Sequence, residues 1–304
     1  MPKITLNVVK NKSYFCSGFL SIGLYVQDKK VLLIDSGGDE QSAKDAHNAI
    51  QEAGYDVTTI INTHCHPDHC GGNYFFQKKN PELRVYAAHD EKEFIENPHL
   101  APRCFCGGAA AFAGLRNKHL APQKESVVTD IIAPYEDHEI TIQGEKFRII
   151  TLPGHTPGSI GIITPDNILY SGDALFGQDT FRKHAILFYT DIENTLASFK
   201  KLAALSVDAC VLYHGGVIDN LAVLAQQHES RILETKHAIL TLVQQQPLSV
   251  DMLTQRIMQI HKIPDSIVAF TLTQTAMRAY LTQLEKEKLL TLLVRDGLLQ
   301  AHAL

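Results

Sequence analysis

The segment Thr63-His64-Cys65-His66-Pro67-Asp68-His69 is the most informative part of the sequence, because it places four strong metal ligands within six residues. It follows residues 57–62, a run rich in β-branched side chains that predicts a strand. His64 and His66 are two positions apart, so on an extended backbone they point to the same side. Cys65 then points to the opposite side and is expected to pack rather than bind a metal.

Beyond Pro67 the chain turns, so Asp68 and His69 can present a second pair of ligands. One metal ion cannot accept both pairs with good geometry, whereas two metal ions can. The alternative is a polar turn that happens to be rich in histidine. That alternative predicts no matching ligands elsewhere in the chain.

Matching ligands do occur downstream, and each follows a predicted strand. They are His155 in Leu152-Pro153-Gly154-His155-Thr156-Pro157-Gly158, Asp173 in Tyr170-Ser171-Gly172-Asp173-Ala174, and His214 in Val211-Leu212-Tyr213-His214-Gly215-Gly216. Glycine beside each ligand allows the tight backbone bend that aims the side chain. The chain therefore contains five histidines and two aspartates in a fixed order at strand ends.

This order resembles the ligand signature of the metallo-β-lactamase-fold hydrolase superfamily, and the resemblance covers roughly residues 10–216. It implies an α/β fold, a four-layer αββα sandwich with the site at one edge. It also implies the ligand sets His64, His66 and His155 for a first metal and Asp68, His69 and His214 for a second, with Asp173 bridging the two. Two Zn²⁺ ions are the default, and iron or manganese would suit the same ligands.

The ligands predict the chemistry. A hydroxide shared by two cations is a nucleophile at neutral pH, and the cations polarise the substrate oxygen. We therefore expect a metal-dependent hydrolase that uses a metal-bridging hydroxide to cleave an ester, thioester or lactone bond of a small molecule. Asp68 is the candidate catalytic residue, which would orient the hydroxide and carry a proton to the leaving group. His184 and Tyr189 are candidate substrate or supporting contacts.

The motifs of the chain define its substrate specificity less well than they define its metal ligands. Asp173 argues against a resemblance to the antibiotic-hydrolysing branch, which is expected to have a cysteine at the equivalent position. Residues 63–73 are similar to the glyoxalase II and lactonase branches. The interval from His69 to His155 is long for the family. The irregular residues 90–125 within it are expected to shape the substrate pocket as a lid or to form an oligomer contact.

After an expected catalytic domain of residues 1–220, residues 221–304 are predicted to form a helical, winged-helix-like C-terminal domain. The pattern predicts helices over 218–246, 250–260 and 271–288, then a hairpin that turns at Asp296-Gly297. Residues 248–304 carry six basic and five acidic side chains, which favours packing or dimerisation over nucleic-acid binding. The alternatives left open are an endoribonuclease-like or other nucleic-acid phosphodiester hydrolase, a di-iron oxidoreductase, and a non-catalytic metal-binding protein.

Composition narrows the classes further. A net charge of -5 over 304 residues disfavours a protein that binds nucleic acid along its whole surface. With 45% hydrophobic residues, the chain can bury a core and is not expected to be disordered. It has no run of 18 apolar residues to span a membrane. Six cysteines without a secretory signal predict a cytoplasmic protein with free thiols, and a homodimer remains open.

Overall fold

The computed structural model describes residues 4–18, 20–122, 124–133 and 135–304, and these residues form three β-sheets with flanking helices. The strands are β1 (Thr5–Lys10), β2 (Ser13–Ser17), β3 (Ile22–Gln27), β4 (Lys30–Ile34), β5 (Asp56–Ile61), β6 (Arg84–Ala88), β7 (Asp130–Ile132), β8 (His138–Ile142), β9 (Glu145–Thr151), β10 (Ile160–Ile163), β11 (Ile168–Tyr170), β12 (Ala209–Leu212), β13 (Gly216–Ile218), β14 (Leu248–Ser249), β15 (Leu290–Arg295) and β16 (Leu298–Ala303). The α-helices are α1 (Glu40–Glu52), α2 (Pro67–Cys70), α3 (Asn73–Lys79), α4 (His89–Glu96), α5 (Leu100–Cys104), α6 (Gln178–Lys183), α7 (Ile192–Ala204), α8 (Leu221–Gln245), α9 (Val250–His261) and α10 (Ile267–Lys286). Short 3-10 turns cover Ala113–Leu115 and Gly172–Ala174.

The first sheet contains β1 to β7 in chain order. Strands β1 to β4 pair antiparallel as hairpins, whereas β4, β5, β6 and β7 pair parallel. Parallel strands end at the same edge of a sheet. The loops that follow β4, β5 and β6 therefore lie side by side, and the second of these loops carries the histidine-rich stretch.

The second sheet has the order β13-β12-β11-β10-β9-β8. Strand β10 is antiparallel to both β9 and β11, and β11 is parallel to β12. Strands β9, β11 and β12 consequently run in one direction and end at one edge. His155, Asp173 and His214 follow these three strands, so the topology brings them to the same place.

The two sheets face each other across an apolar core. Tyr25 of the first sheet and Phe147 of the second meet edge to face, with ring centroids 5.1 Å apart. Helices α1 and α3 cover the outer face of the first sheet, and α7 to α10 pack in the core cluster on the other side of the second. The expected four-layer αββα sandwich with a helical C-terminal region is confirmed.

The C-terminal region contains α8, α9 and α10 and a three-stranded sheet of order β14-β16-β15. The predicted hairpin turn is present, with positive φ at Asp296 and Gly297. Apolar side chains of α8 and α9 share one core cluster with the second sheet. The division at residues 220 and 221 stays a prediction. Among the described residues, no helix has both the length and the apolar character needed to cross a bilayer.

Residues 90–125 are more regular than the sequence suggested. They contain most of α4 and all of α5, in addition to irregular chain. The inward face of α4 carries Glu91 beside Ile95, and both side chains are buried. A buried carboxylate on that face obscures the apolar spacing by which a helix is recognised in a sequence.

Candidate metal centre

Loops at the ends of four strands bring all seven predicted ligands together. They form two groups, and within each group one ligand atom per residue lies within 4.8 Å of every other. The first group is His64, His66 and His155, and the second is Asp68, His69, Asp173 and His214. The grouping coincides with the two ligand sets that the resemblance implies, while binding of metal by these residues stays a prediction.

Asp173 lies between the two groups. Its Oδ2 is 3.6 Å from His155 Nε2 in the first group and 3.4 Å from His214 Nε2 in the second. Its Oδ1 is 3.2 Å from His69 Nε2. The preceding Gly172 has φ +53, and a Cβ there would collide with Thr63. Glycine is therefore required for the bend that aims Asp173 at both groups.

The first group consists of neutral imidazoles whose lone pairs converge. His66 Nδ1 lies 3.0 Å from His64 Nε2 and 2.8 Å from His155 Nε2. The other ring nitrogen of His155 donates to the carbonyl of Phe188 at 2.7 Å, which leaves its Nε2 with a lone pair. Burial lowers the pKa of His155 to about 4 and holds the pKa of His64 well below its ordinary value. Three converging acceptor atoms suit a cation.

The second group adds two carboxylates. Burial opposes protonation of His214, but Asp173 and Asp68 outweigh it and raise the pKa of His214 to about 10. Partial burial would raise the pKa of Asp68, but His69 and His214 lower it to about 2. Among the described residues, His69 Nε2 and Asp173 Oδ1 are buried and lie 3.2 Å apart, yet neither forms a hydrogen bond of acceptable geometry with the other or with any further group. Unpartnered buried atoms that face each other are explained by a ligand that both would bind.

Asp35 supports the second group and was missed by sequence reasoning. It is 1% exposed, and its carboxylate accepts the backbone N–H and the hydroxyl of Thr63, each at 2.8 Å, together with His69 Nδ1 at 2.7 Å. Its φ of +64 is unusual for a residue with a side chain. The available signal was an acidic residue directly after the apolar strand β4 and before Gly37.

Glu91 joins the two loops that carry the first group. Its Oε2 accepts the backbone N–H of Cys65 at 2.8 Å, and its Oε1 accepts the Thr156 hydroxyl at 2.8 Å and the Gly158 N–H at 2.7 Å. A Cβ on Gly158 would lie only 2.8 Å from this carboxylate. Sequence reasoning missed Glu91 because α4 was not predicted. Cys65 itself packs against an apolar cluster, as expected from its alternation with His64 and His66 on an extended backbone.

The family of the protein follows from its sequence match. The sequence profile of the Metallo-beta-lactamase superfamily matches residues 18–214. The chain belongs to this superfamily. The matched range begins before β3 and ends at His214, so it includes every residue of the candidate metal centre.

Curated relatives of this superfamily member carry hydrolase names. A probable metallo-hydrolase of Methanocaldococcus jannaschii is 30% identical over 52% of this chain and 69% of its own length. An atrochrysone carboxyl ACP thioesterase of Aspergillus fumigatus is 24% identical over 70% of this chain and 56% of its own length. A hydroxyacylglutathione hydrolase of Haemophilus influenzae is 26% identical over 50% of this chain and 65% of its own length. The chain thus spans 56% to 69% of the length of these relatives.

A solved structure agrees over the whole chain. The metallo-beta-lactamase family protein from Thermus thermophilus superposes with a TM-score of 0.70 at 19% identity, covering 100% of this chain and 99% of that one. At this identity the likeness concerns the fold alone. It includes the C-terminal helices as well as the sandwich of the superfamily.

His184 and Tyr189, the candidate substrate or supporting contacts, lie in different environments in this superfamily member. Tyr189 is 1% exposed; its hydroxyl is 3.4 Å from the carbonyl of Ala174, and its ring centroid is 6.3 Å from that of His155. His184 is exposed at the end of α6, and burial of part of its ring, with the positive charge of His214, lowers its pKa. A substrate contact by either residue stays a prediction.

Proposed function

We propose that this protein is a binuclear metal-dependent hydrolase that cleaves an ester, thioester or lactone bond of a small molecule. The observation that carries the proposal is the pair of ligand groups that share Asp173 between them. Relatives named as a metallo-hydrolase, a thioesterase and a hydroxyacylglutathione hydrolase support the reaction class.

The residues present fit two divalent cations. Neutral imidazoles of the first group and the two carboxylates of the second are the ligand types that zinc accepts, and iron or manganese would accept them as well. His64, His66 and His155 would hold one cation, Asp68, His69 and His214 the other, and Asp173 both. When bound, the cations would lower the pKa of water and polarise a carbonyl oxygen.

Asp68 is a candidate ligand that also reaches solvent. Its side chain is 41% exposed, while its Oδ2 lies 3.1 Å from His214 Nε2. Because its pKa is about 2, the carboxylate is ionised at neutral pH and accepts hydrogen bonds there. It can therefore orient a water molecule at the opening of the centre, accept a proton from that water and deliver the same proton to a departing group.

The test combines metal content with turnover. Purified protein is analysed for metals and assayed with nitrophenyl esters, acyl thioesters and lactones before and after treatment with a chelator. We expect about two metal ions per chain and hydrolysis that the chelator abolishes and added zinc, iron or manganese restores. Hydrolysis that persists in metal-free protein, or no hydrolysis of any of the three substrate classes by metal-loaded protein, would contradict the proposal.

A further inference from the structure

Residues 97–124, called here the cationic segment, differ in charge from the rest of the molecule. The segment contains four lysines and arginines, namely Arg103, Arg116, Lys118 and Lys124, and no aspartate or glutamate. The whole chain, by contrast, has a net charge of -5. One sign of charge concentrated on one side of a cleft raises the local concentration of ions of the opposite sign.

Described residues of the cationic segment, between Pro98 and Pro122, line a cavity of about 560 Å³. Prolines and alanines supply much of its wall, and the side chains of His99, Arg103, Arg116 and Lys118 supply its polar lining together with Asn117. No carboxylate lines it among the residues that the structure describes. The volume is that of a small-molecule site, and its charged groups all have one sign.

Two guanidinium groups that line this cavity use only part of their N–H donors. Arg103 Nη2 donates to the carbonyl of Gly108 at 3.1 Å, and Arg116 Nε donates to the carbonyl of Ala111 at 3.0 Å. Within the described part of the chain, neither arginine forms an ion pair with a carboxylate. A guanidinium has five N–H donors in a planar fork that matches a carboxylate or a phosphate. Most of these donors therefore remain available to a ligand.

Two contacts of the segment, one by Phe105 and one by Lys118, connect it to the neighbourhood of the candidate metal centre. The ring centroid of Phe105 is 6.3 Å from that of Phe188, which is 5.8 Å from that of His66. Lys118 donates to the Asp39 carboxylate at 3.1 Å.

Gly38, the residue before Asp39, extends the contact made by Lys118 towards the candidate metal centre. A Cβ built on Gly38 would lie 3.3 Å from Cα of Asp68. These contacts connect the cationic segment, which lines the cavity, to the side of the centre that carries His66 and Asp68, where the Asp68 side chain reaches solvent.

We infer that this cavity binds an anionic group of the substrate, a phosphate or a carboxylate, with Arg103 and Arg116 as the main donors. The inference rests on the proposed hydrolase function and narrows its substrate class to anionic esters or thioesters whose charged group lies away from the scissile bond. The arginines hold the substrate and take no part in bond cleavage.

Direct binding tests the inference without any turnover. The probes are desulfo-coenzyme A, which carries phosphates, and S-methylglutathione, which carries carboxylates; neither has a free thiol that could bind a metal. Calorimetry on the full-length protein compares the wild type with Arg103→Gln/Arg116→Gln. The matched control, Arg148→Gln/Arg256→Gln, removes two exposed arginines outside the cavity lining.

We expect one or both probes to bind, and to bind at least about tenfold more weakly to the cavity variant, with the control within about twofold of the wild type. The probe that binds identifies phosphate or carboxylate as the recognised group. Equal weakening in the control, equal affinity in the cavity variant, or no saturable binding of either probe would overturn the inference.

Kinetics then separate this inference from the proposed function. With an acyl thioester of the bound carrier, the cavity variant should raise KM at least about tenfold and leave kcat within about twofold, whereas a neutral N-acetylcysteamine thioester should show no change. If nothing is hydrolysed but the cavity variant loses probe binding, the proposed function fails and the anion site stands. If hydrolysis is intact and KM for the anionic thioester is unchanged, the anion site fails alone.

Discussion

The candidate metal centre and the cationic segment lie side by side, yet they are built in opposite ways. In the centre, His64, His69 and Asp173 are at most 6% exposed, and buried carboxylates hold the loops through hydrogen bonds of 2.7 to 2.8 Å. In the segment, Arg103 and Arg116 are exposed, and among the described residues they donate only to nearby carbonyls. A reacting centre needs groups held in place before the substrate arrives, whereas a binding surface needs charges that are still free.

The largest effect is expected from removing the shared carboxylate of the centre. Asp173→Ala deprives both ligand groups of a common member, so kcat/KM should fall roughly a thousandfold, about 4 kcal/mol, with loss of bound metal. The control is His237→Ala, which removes an exposed histidine of α8 and should leave metal content and rate unchanged. Circular dichroism checks that both variants fold. Two tightly bound metal ions in Asp173→Ala would contradict the prediction that both metal ions share this residue.

An intermediate effect is expected at the carboxylate that joins the two loops. In Glu91→Gln an amide NH₂ would have to face a backbone or hydroxyl donor, so the loops carrying His64 and His155 should lose their alignment. Metal affinity measured by chelator competition should fall about 10- to 100-fold. Glu93→Gln, on an exposed position of the same helix, is the matched control. Equal metal affinity in Glu91→Gln and Glu93→Gln would argue against a centre that Glu91 holds in place, and so against its contrast with the cationic segment.

A smaller effect is expected where the segment meets the centre. Phe105→Ala removes the ring that contacts Phe188, and such an aromatic pair contributes about 0.5–1.5 kcal/mol, so KM should rise about two- to tenfold with little change in kcat. Phe112→Ala, on a side chain that is 63% exposed in the same segment, should change neither constant. A fall in kcat at constant KM would instead make Phe105 part of the centre.

The smallest effect is expected at Tyr189. Its hydroxyl makes one long contact, 3.4 Å to the carbonyl of Ala174, and its ring is buried in the core. Tyr189→Phe keeps the ring, so the free energy of unfolding should fall by no more than about 1 kcal/mol and the rate should stay within about twofold. Chemical denaturation and steady-state kinetics measure both quantities. A rate loss larger than about tenfold would support the predicted substrate contact.

Long periodic elements and strand-end ligands could be predicted from the sequence. The helix predicted over 218–246 is α8, Leu221–Gln245, because its apolar spacing repeats over many turns. Glu91 could not be predicted, because an acidic residue on a short helix has the same pattern as a solvated surface. Only its burial against the loops after β5 and β9 distinguishes it.

The amino-acid sequence predicts the candidate metal centre in outline: the order of the seven predicted ligands, the strand ends that carry them and the glycines beside them. How those groups interact depends on tertiary packing, which raises the pKa of His214 to about 10, brings Asp35 and Glu91 into support of the loops, and forms the cavity lined by the cationic segment. The physical reason is that ligand identity and backbone bends are local properties of the chain. Electrostatic coupling and burial depend on distances between residues that lie far apart in the sequence and meet only when the two sheets pack.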